Sequence, residues 1–342
     1  MYRYLRLSAI IFSMLCLAGM LNACHHRPKS ISFYYWKTVF SLDSIEKHTL
    51  QDNAVQRLYL RYFDVDFAPG DTAAQPVSPL KADTSLSAWQ IVPVIFLRNR
   101  VFEKLDSPGI KTLARNIFSL SNAMSDTMKI HTTEIQFDCD WTEKTRDKYF
   151  FFIRQYRILT GQPITATIRL HQVKYPDRTG IPPVDRGILM YYNMGDINAG
   201  SERSIYERKT ASRYIPSLRT YPMNLDVALP VFTWGLQVRD GKVTRLLNKM
   251  NFGHFENDSN FAASKTNWYT ARHACFNSGY YFKEGDAVKI EHVPAKDLMD
   301  IIADINQYSN HRIGNLIFYD LDKTNLIQYE KTIFKKILDH TD

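Results

Sequence analysis

Short apolar runs, rich in aromatic and β-branched residues, recur eight times along this chain with helix-like stretches between them. The runs lie at 32–37, 57–65, 91–97, 133–141, 164–173, 187–193, 225–232 and 315–319. Several end in charged or Gly/Pro-rich segments, which is the pattern of short strands. Among the intervening segments, Asp43-Ser-Ile-Glu46 predicts a capping box opening a helix toward Ala54. Apolar residues at helical spacing fill 110–124. Thr142 is placed to cap a helix carrying Tyr149, Phe152, Ile153 and Tyr156 as far as Gly161. Pro294 precedes a stripe of Leu298, Ile301, Ile302 and Ile305, and 326–338 reads as a final helix.

Eight strands with helices between them predict an α/β fold, a single (β/α)8 TIM barrel over residues 31–342. Two of its helices are expected to be degenerate, because 66–88 is polar with prolines and 175–186 is rich in Pro and Gly. The longest connection, about 235–293, follows the seventh strand. It reads as an insertion on the active-site face, with a hairpin over 280–290.

The amino terminus changes the domain picture. Arg3 and Arg6 precede an apolar stretch from Leu7 to Met20, and Leu21-Asn-Ala23-Cys24 follows. A basic start, a short apolar segment and a small residue before the cut predict an export signal over 1–23. The Leu-x-Ala-Cys run resembles a bacterial lipobox, with Cys24 as the lipidated first residue of the mature chain and 24–30 as its tether. The expected location is therefore the bacterial cell envelope, periplasmic or surface-exposed, with the membrane reached through the lipid on Cys24. Losing Arg3 and Arg6 lowers the net charge from +8 to +6. The remaining Cys139 and Cys275 read as free thiols. Basic residues form no tract, so no nucleic-acid partner is expected. The pattern carries no signal for an oligomeric state.

Barrels of this kind place their chemistry at the carboxyl ends of the strands. The fourth strand is the most informative: period-two alternation sends Glu134, Gln136, Asp138 and Asp140 to one face and Ile135, Phe137, Cys139 and Trp141 to the other. The polar set should point inward, where unpaired polar groups are costly. Thr165, Thr167, Arg169 and His171 share a face of strand five, and Tyr59, Arg61 and Phe63 share one on strand two. Arg61 and Arg169 are expected to neutralise Glu134 or Asp138. Further residues expected at the mouth are Asp64 and Asp66, Tyr191, Tyr192 and Asn193, Trp234, and Asp320 and Asp322. Close carboxylates can split their pKa values into an acid and a base, and flat rings can floor a sugar site. No cofactor is expected, because no glycine-rich phosphate loop follows the first strand. The histidines lack H-E-x-x-H or Cys/His spacing.

Asp138-Cys-Asp140-Trp141 resembles the D-x-D-W portion of the signature of chitinase-like family 18 glycoside hydrolases. Met190-Tyr-Tyr192-Asn193 resembles that family's M-x-Y-D segment, and Ala228-Leu-Pro230-Val-Phe232 its G-x-P-x-Y/F segment. The resemblance implies a glycosidase barrel in which the second Asp, here Asp140, assists the substrate's acetamido group. It also implies a general-acid Glu where this chain has Thr142. Glu143 is the next residue and is expected to point elsewhere. Tyr59-Leu-Arg61-Tyr-Phe-Asp64-Val-Asp66 and Gln136-Phe-Asp138 also resemble an uncharacterised family of envelope lipoproteins with glycosidase-like barrels. The leading expectation is a glycoside hydrolase-like lipoprotein acting on an oligosaccharide or envelope glycan. Asp138 and Asp140 are central, completed by His171, Tyr192 or Asp320; Asp64, Asp66, Tyr191, Asn193 and Trp234 would contact substrate. The alternatives are a non-catalytic barrel binding a glycan or protein, and a metal-dependent hydrolase using Asp138 and Asp140.

Overall fold

The computed structural model describes residues 30–341, apart from 72, 83, 84, 199, 201, 202, 311 and 312. The expected signal segment 1–23 and Cys24 lie outside the described residues, and Ser30 already belongs to a strand.

Eight parallel strands close into a barrel. They are β1 (Ser30–Tyr35), β2 (Arg57–Asp66), β3 (Gln90–Leu97), β4 (Ile135–Cys139), β5 (Ile164–Arg169), β6 (Arg186–Met190), β7 (Leu225–Pro230) and β8 (Asn315–Tyr319). Each pairs in parallel with the next, and β8 pairs with β1 to close the ring. All eight coincide with the apolar runs in the sequence. β4 and β5 are shorter than their runs, and β5 ends at Arg169, so His171 sits on the short helix Leu170–Lys174 instead of the strand.

The helices follow their local signals where the signal is complete. Asp43 and Glu46 form the capping box of helix Ser44–Asp52. Helix Ser107–Thr127 is capped by Asp106, whose side chain accepts the Gly109 N–H. Helix Ala295–Tyr308 buries Leu298, Ile301, Ile302 and Ile305. Thr142 caps nothing: helix Arg146–Leu159 starts after Thr145, and the Thr142 N–H donates to Thr145 Oγ1 at 2.9 Å. The carboxyl-terminal stretch breaks into Lys323–Leu326 and Ile333–Asp339. Among the described residues, β2 is followed only by the short strands Gln75–Val77 and Lys81–Ala82, and β5 only by single-turn helices.

Packing confirms the two faces of β4. Phe137 meets the rings of Phe152 and Tyr156 at 5.0 and 4.9 Å, and Trp141 stacks on Tyr149 at 5.2 Å. Cys139 is a buried free thiol beneath the same helix, and Cys275 is also free. The insertion after β7 is a five-stranded antiparallel sheet ordered Lys242–Asn248, Trp234–Arg239, Ala287–Glu291, Trp268–Ala271, Phe261–Lys265. Its own core gathers Leu247, Phe255, Phe261, Phe282 and Ile290. The expected hairpin over 280–290 does not form. Tyr280–Phe282 pairs back with Cys275–Asn277, while Ala287–Glu291 is recruited between two strands of the larger sheet. Among the described residues, no helix is long and apolar enough to cross a membrane.

Candidate functional site

The inward row of β4 passes through three levels of the barrel. At the amino-terminal end, Glu134 is bound through both oxygens by Arg186 Nη2 at 2.8 and 3.0 Å, and Arg186 Nε lies 2.6 Å from Asp226. Burial works against the charge on Arg186, yet Asp226 and Glu134 outweigh it and hold the guanidinium above its usual value. Arg61 and Arg169, the expected neutralisers, lie at the other end. The register of β5 on β6, with Thr165 opposite Arg186, is what brings Arg186 to Glu134 instead. One level up, Gln136 donates to the Tyr34 hydroxyl at 2.6 Å.

At the carboxyl-terminal end the row opens into a cavity of about 180 Å3. It is lined by Trp36, Phe96, Asp138, Asp140, Arg169, Met190, Tyr192, Asn193 and Tyr319. Asp138 is 8% exposed and accepts from Thr167 Oγ1 at 2.7 Å. Burial, reinforced by the neighbouring Asp140 carboxylate, pushes its carboxyl up to about 6. Asp140 follows the strand end, is half-exposed, and forms an ion pair with Arg169. Tyr192 stacks on Tyr319 at 5.5 Å and donates to Met190 Sδ at 2.8 Å. Trp36 packs edge-on against Tyr319 at 5.5 Å and Phe96 at 6.5 Å. The walls are thus flat rings, with two carboxylates and a guanidinium on one side. Such a volume lies below the ~300–1,000 Å3 of drug-sized sites.

The other anticipated residues disperse around this cavity. Asp64 pairs with Arg61 at 2.7 Å, because a register shift between Arg61 and Phe63 places Asp64 instead of Phe63 on the face of Arg61. Asp66 is held by Arg100, whose hydrogen bond keeps its carboxyl below the usual range. Asp320 is buried, accepts from Asn325 at 2.6 Å, and is pushed up to about 6 by burial, but it is not part of the cavity wall. Asp322 caps helix Lys323–Leu326 and pairs with Lys249 at 2.8 Å and Lys37 at 3.3 Å.

Tyr191 is fully buried, faces Tyr206 at 6.1 Å and feels the charge of Asp304, so it belongs to the outer packing and does not line the cavity. Trp234 is also buried, with its indole N–H on Glu291 at 3.3 Å. His171 lines a smaller adjoining hollow with Arg169, and burial together with Arg169 lowers its pKa. Thr142 is exposed beyond the strand end, and Glu143 pairs with Arg178 at 2.7 Å. Among the described residues, no group of three or more His, Cys, Asp or Glu is gathered as a metal site.

Trp36, Phe96, Met190 and Tyr319 were not anticipated. Each is at or next to the last residue of its strand; the end of the apolar run was the signal for Trp36, Phe96 and Tyr319, whereas Met190 lies inside its run. Larger hollows lie elsewhere. One of about 570 Å3 is at the opposite end of the barrel near Ser30, Arg57 and Lys335. Another, of about 760 Å3, lies against helix Ser107–Thr127.

No protein-family model matches the chain, and no curated protein matches it in sequence. Solved structures do match. The spore cortex-lytic enzyme SleL of Bacillus cereus superposes with a TM-score of 0.55 at 12% identity, over 92% of this chain and 75% of its own. A GH18 chitinase from Cycas revoluta, solved with (GlcNAc)3, has a TM-score of 0.51 at 14% identity, over 91% of this chain and 99% of its own. The class V chitinase of Nicotiana tobaccum has a TM-score of 0.50 at 9% identity, over 90% and 97%. The chain therefore has the barrel fold of the GH18 chitinases.

Proposed function

We propose that the mouth of this barrel binds one sugar residue of a glycan and that the site lacks the proton donor of chitinase-type cleavage. The observation that carries this reading is Thr142. Where the resemblance calls for an acid, the chain offers an exposed hydroxyl, and the adjacent Glu143 is engaged by Arg178. Asp140, the residue that would assist an acetamido group, is neutralised by Arg169. The rings of Trp36, Phe96, Tyr192 and Tyr319 remain, and ring stacking with a few polar groups is sufficient for binding. The saccharide complexes of the Cycas revoluta chitinase support a glycan as the ligand class. The Leu-x-Ala-Cys24 run supports a lipid-anchored protein of the cell envelope.

A second reading, hydrolysis of the glycosidic bond, is favoured by one observation. Asp138 keeps its proton up to about pH 6 beside a paired carboxylate, the division of roles that acid/base catalysis needs. The two readings separate in one experiment, in which the purified chain is mixed with chito-oligosaccharides of several lengths. Binding is followed by calorimetry and cleavage by mass spectrometry. The expected result is binding without product, weakened about tenfold in Trp36→Ala, or ~1.4 kcal/mol. Product that vanishes in Asp140→Asn would overturn the binding-only reading in favour of the second. A chain that neither binds nor cleaves any oligosaccharide overturns both.

A further inference from the structure

Tyr192 and Asn193, two residues of the cavity wall, belong to the segment that leaves β6. The Asn193 N–H donates to the Ile205 carbonyl at 2.8 Å, and the Met194 and Gly195 N–H groups both donate to the Ser204 carbonyl at 3.1 Å. This part of the wall is therefore one arm of a ribbon whose second arm is 203–205. Gly195 lies where the arms touch. A Cβ there would stand 2.6 Å from the Arg203 carbonyl oxygen, so only glycine lets the two backbones approach this closely.

The second arm is fixed by the insertion. Glu291 is 4% exposed, and one of its oxygens accepts the Ser204 N–H at 2.8 Å, the Ser204 hydroxyl at 2.5 Å and the Trp234 indole N–H at 3.3 Å. Lys289 Nζ donates to the other oxygen at 2.6 Å. Burial pushes this carboxyl up, but the bonds from Lys289 and Ser204 outweigh it and hold it below its usual range. The antiparallel register sets Trp234 opposite Glu291 and opens a second route to the wall. The Trp234 ring packs on Phe232 at 5.2 Å, and Phe232 meets Tyr192 at 5.6 Å and Tyr319 at 5.5 Å. Lys289 alone would balance the charge of Glu291 within the sheet; its remaining donors all lead to the wall. We infer that Glu291, which lines neither hollow at the mouth, is a positioning residue of the ligand site. It fixes Asn193 through Ser204, and Tyr192 and Tyr319 through Trp234 and Phe232. This rests on the glycan-binding reading above for its ligand, whereas the ribbon can be measured without one.

The test uses the full chain, with chitotetraose affinity read by calorimetry and the amides at 193–195 followed by hydrogen exchange. Glu291→Gln should weaken binding about tenfold, the scale of losing an orienting group behind a site. It should also speed exchange at 193–195 while the barrel strands exchange as in wild type. Gly195→Ala keeps every charge and parts the two arms; it should reproduce both effects, and it decides the matter if Glu291→Gln folds poorly. Asp286→Asn is the control. Asp286 is an equally buried carboxylate whose hydrogen bonds come from Gln237, Arg239 and the Lys283 backbone, all inside the insertion. Its loss should lower the urea midpoint and leave both affinity and exchange at 193–195 as in wild type. Affinity unchanged in both Glu291→Gln and Gly195→Ala, or lost equally in Asp286→Asn, would overturn the inference while leaving glycan binding intact. If the wild-type chain binds no chitotetraose, the glycan reading falls; exchange at 193–195 unchanged in Glu291→Gln removes the role of Glu291 on its own.

Discussion

Glu134, immediately before the fourth strand, and Asp138 within it stand four residues apart in one inward row, and the barrel surrounds them in opposite ways. Glu134 receives Arg186 through both oxygens, Arg186 reaches on to Asp226, and the level is sealed by buried neighbours such as Tyr59. Asp138 has a neutral hydroxyl as its hydrogen-bond donor, a second carboxylate close by, and a cavity wall on its open side. The lower level compensates its charges internally. At the upper level the guanidinium of Arg169 goes to Asp140, and the Asp138 carboxyl stays raised by burial. A buried ion network and the wall of an open cavity can therefore be built from the same inward row of one strand. What separates them is whether the guanidinium reaches both carboxylates, as Arg186 does below, or only one, as Arg169 does above.

The strongest way to break this contrast is to remove the lower counter-charge. Arg186→Met leaves Glu134 and Asp226 in a sealed interior, and losing one partner of a buried ion network costs ~3–5 kcal/mol. The expected result is a large drop in the urea midpoint at unchanged slope, with glycan affinity retained by whatever fraction stays folded. A loss under ~1 kcal/mol would mean that this level is not the structural one.

At the upper level the corresponding change should stabilise. Asp138 titrates near 6 in the folded chain against 3.8 as its ordinary value. Between those pH values the native state binds more protons than the unfolded state, so this residue's contribution falls as pH rises. Above pH 6 the penalty is complete, at roughly 2–3 kcal/mol. Asp138→Asn removes it. The variant should gain stability relative to wild type as pH increases from 4 to 7, with the gain levelling off past 6, in urea titrations at each pH. A difference that is flat across that range would mean that the carboxylate is compensated after all.

The sequence made the eight strands legible because each is a short apolar run flanked by breakers, and the alternation in β4 sorted its residues onto the correct faces. Pairing across strands was not legible, because it depends on register. Arg61 and Arg169 were expected to neutralise Glu134 or Asp138; Arg169, paired with Asp140, does act electrostatically on Asp138, but the register of β5 and β6 delivers Arg186 to Glu134. In β2 the irregularity beside Tyr62 moves Asp64 onto the face of Arg61, which strict alternation forbids. Alternation also separates Tyr191 from Tyr192, and only Tyr192 reaches the cavity. The aromatic wall escaped notice for a different reason. Trp36, Phe96 and Tyr319 read as ordinary strand-end apolar residues until closure of the barrel sets them around one hollow.

The smallest effect belongs to Glu143, and it sharpens the contrast most. This residue lies outside both levels, paired with Arg178 in solvent, and it is the carboxylate nearest in sequence to Thr142, where the resemblance implies an acid. Exposed ion pairs contribute little, and surface substitutions usually stay within ±0.5 kcal/mol. Glu143→Gln should therefore leave the urea midpoint and glycan affinity where they are. If the wild-type chain does yield cleavage product, the rate in Glu143→Gln shows which carboxyl supplies the proton. An unchanged rate keeps the chemistry inside the cavity, with Asp138 as the protonated member of the pair. A fall of ~10²-fold or more, the usual cost of losing a general acid, would place the donor outside the upper level. The division between a sealed lower level and an open upper one would then have to extend beyond the strand end to the loop that carries Thr142.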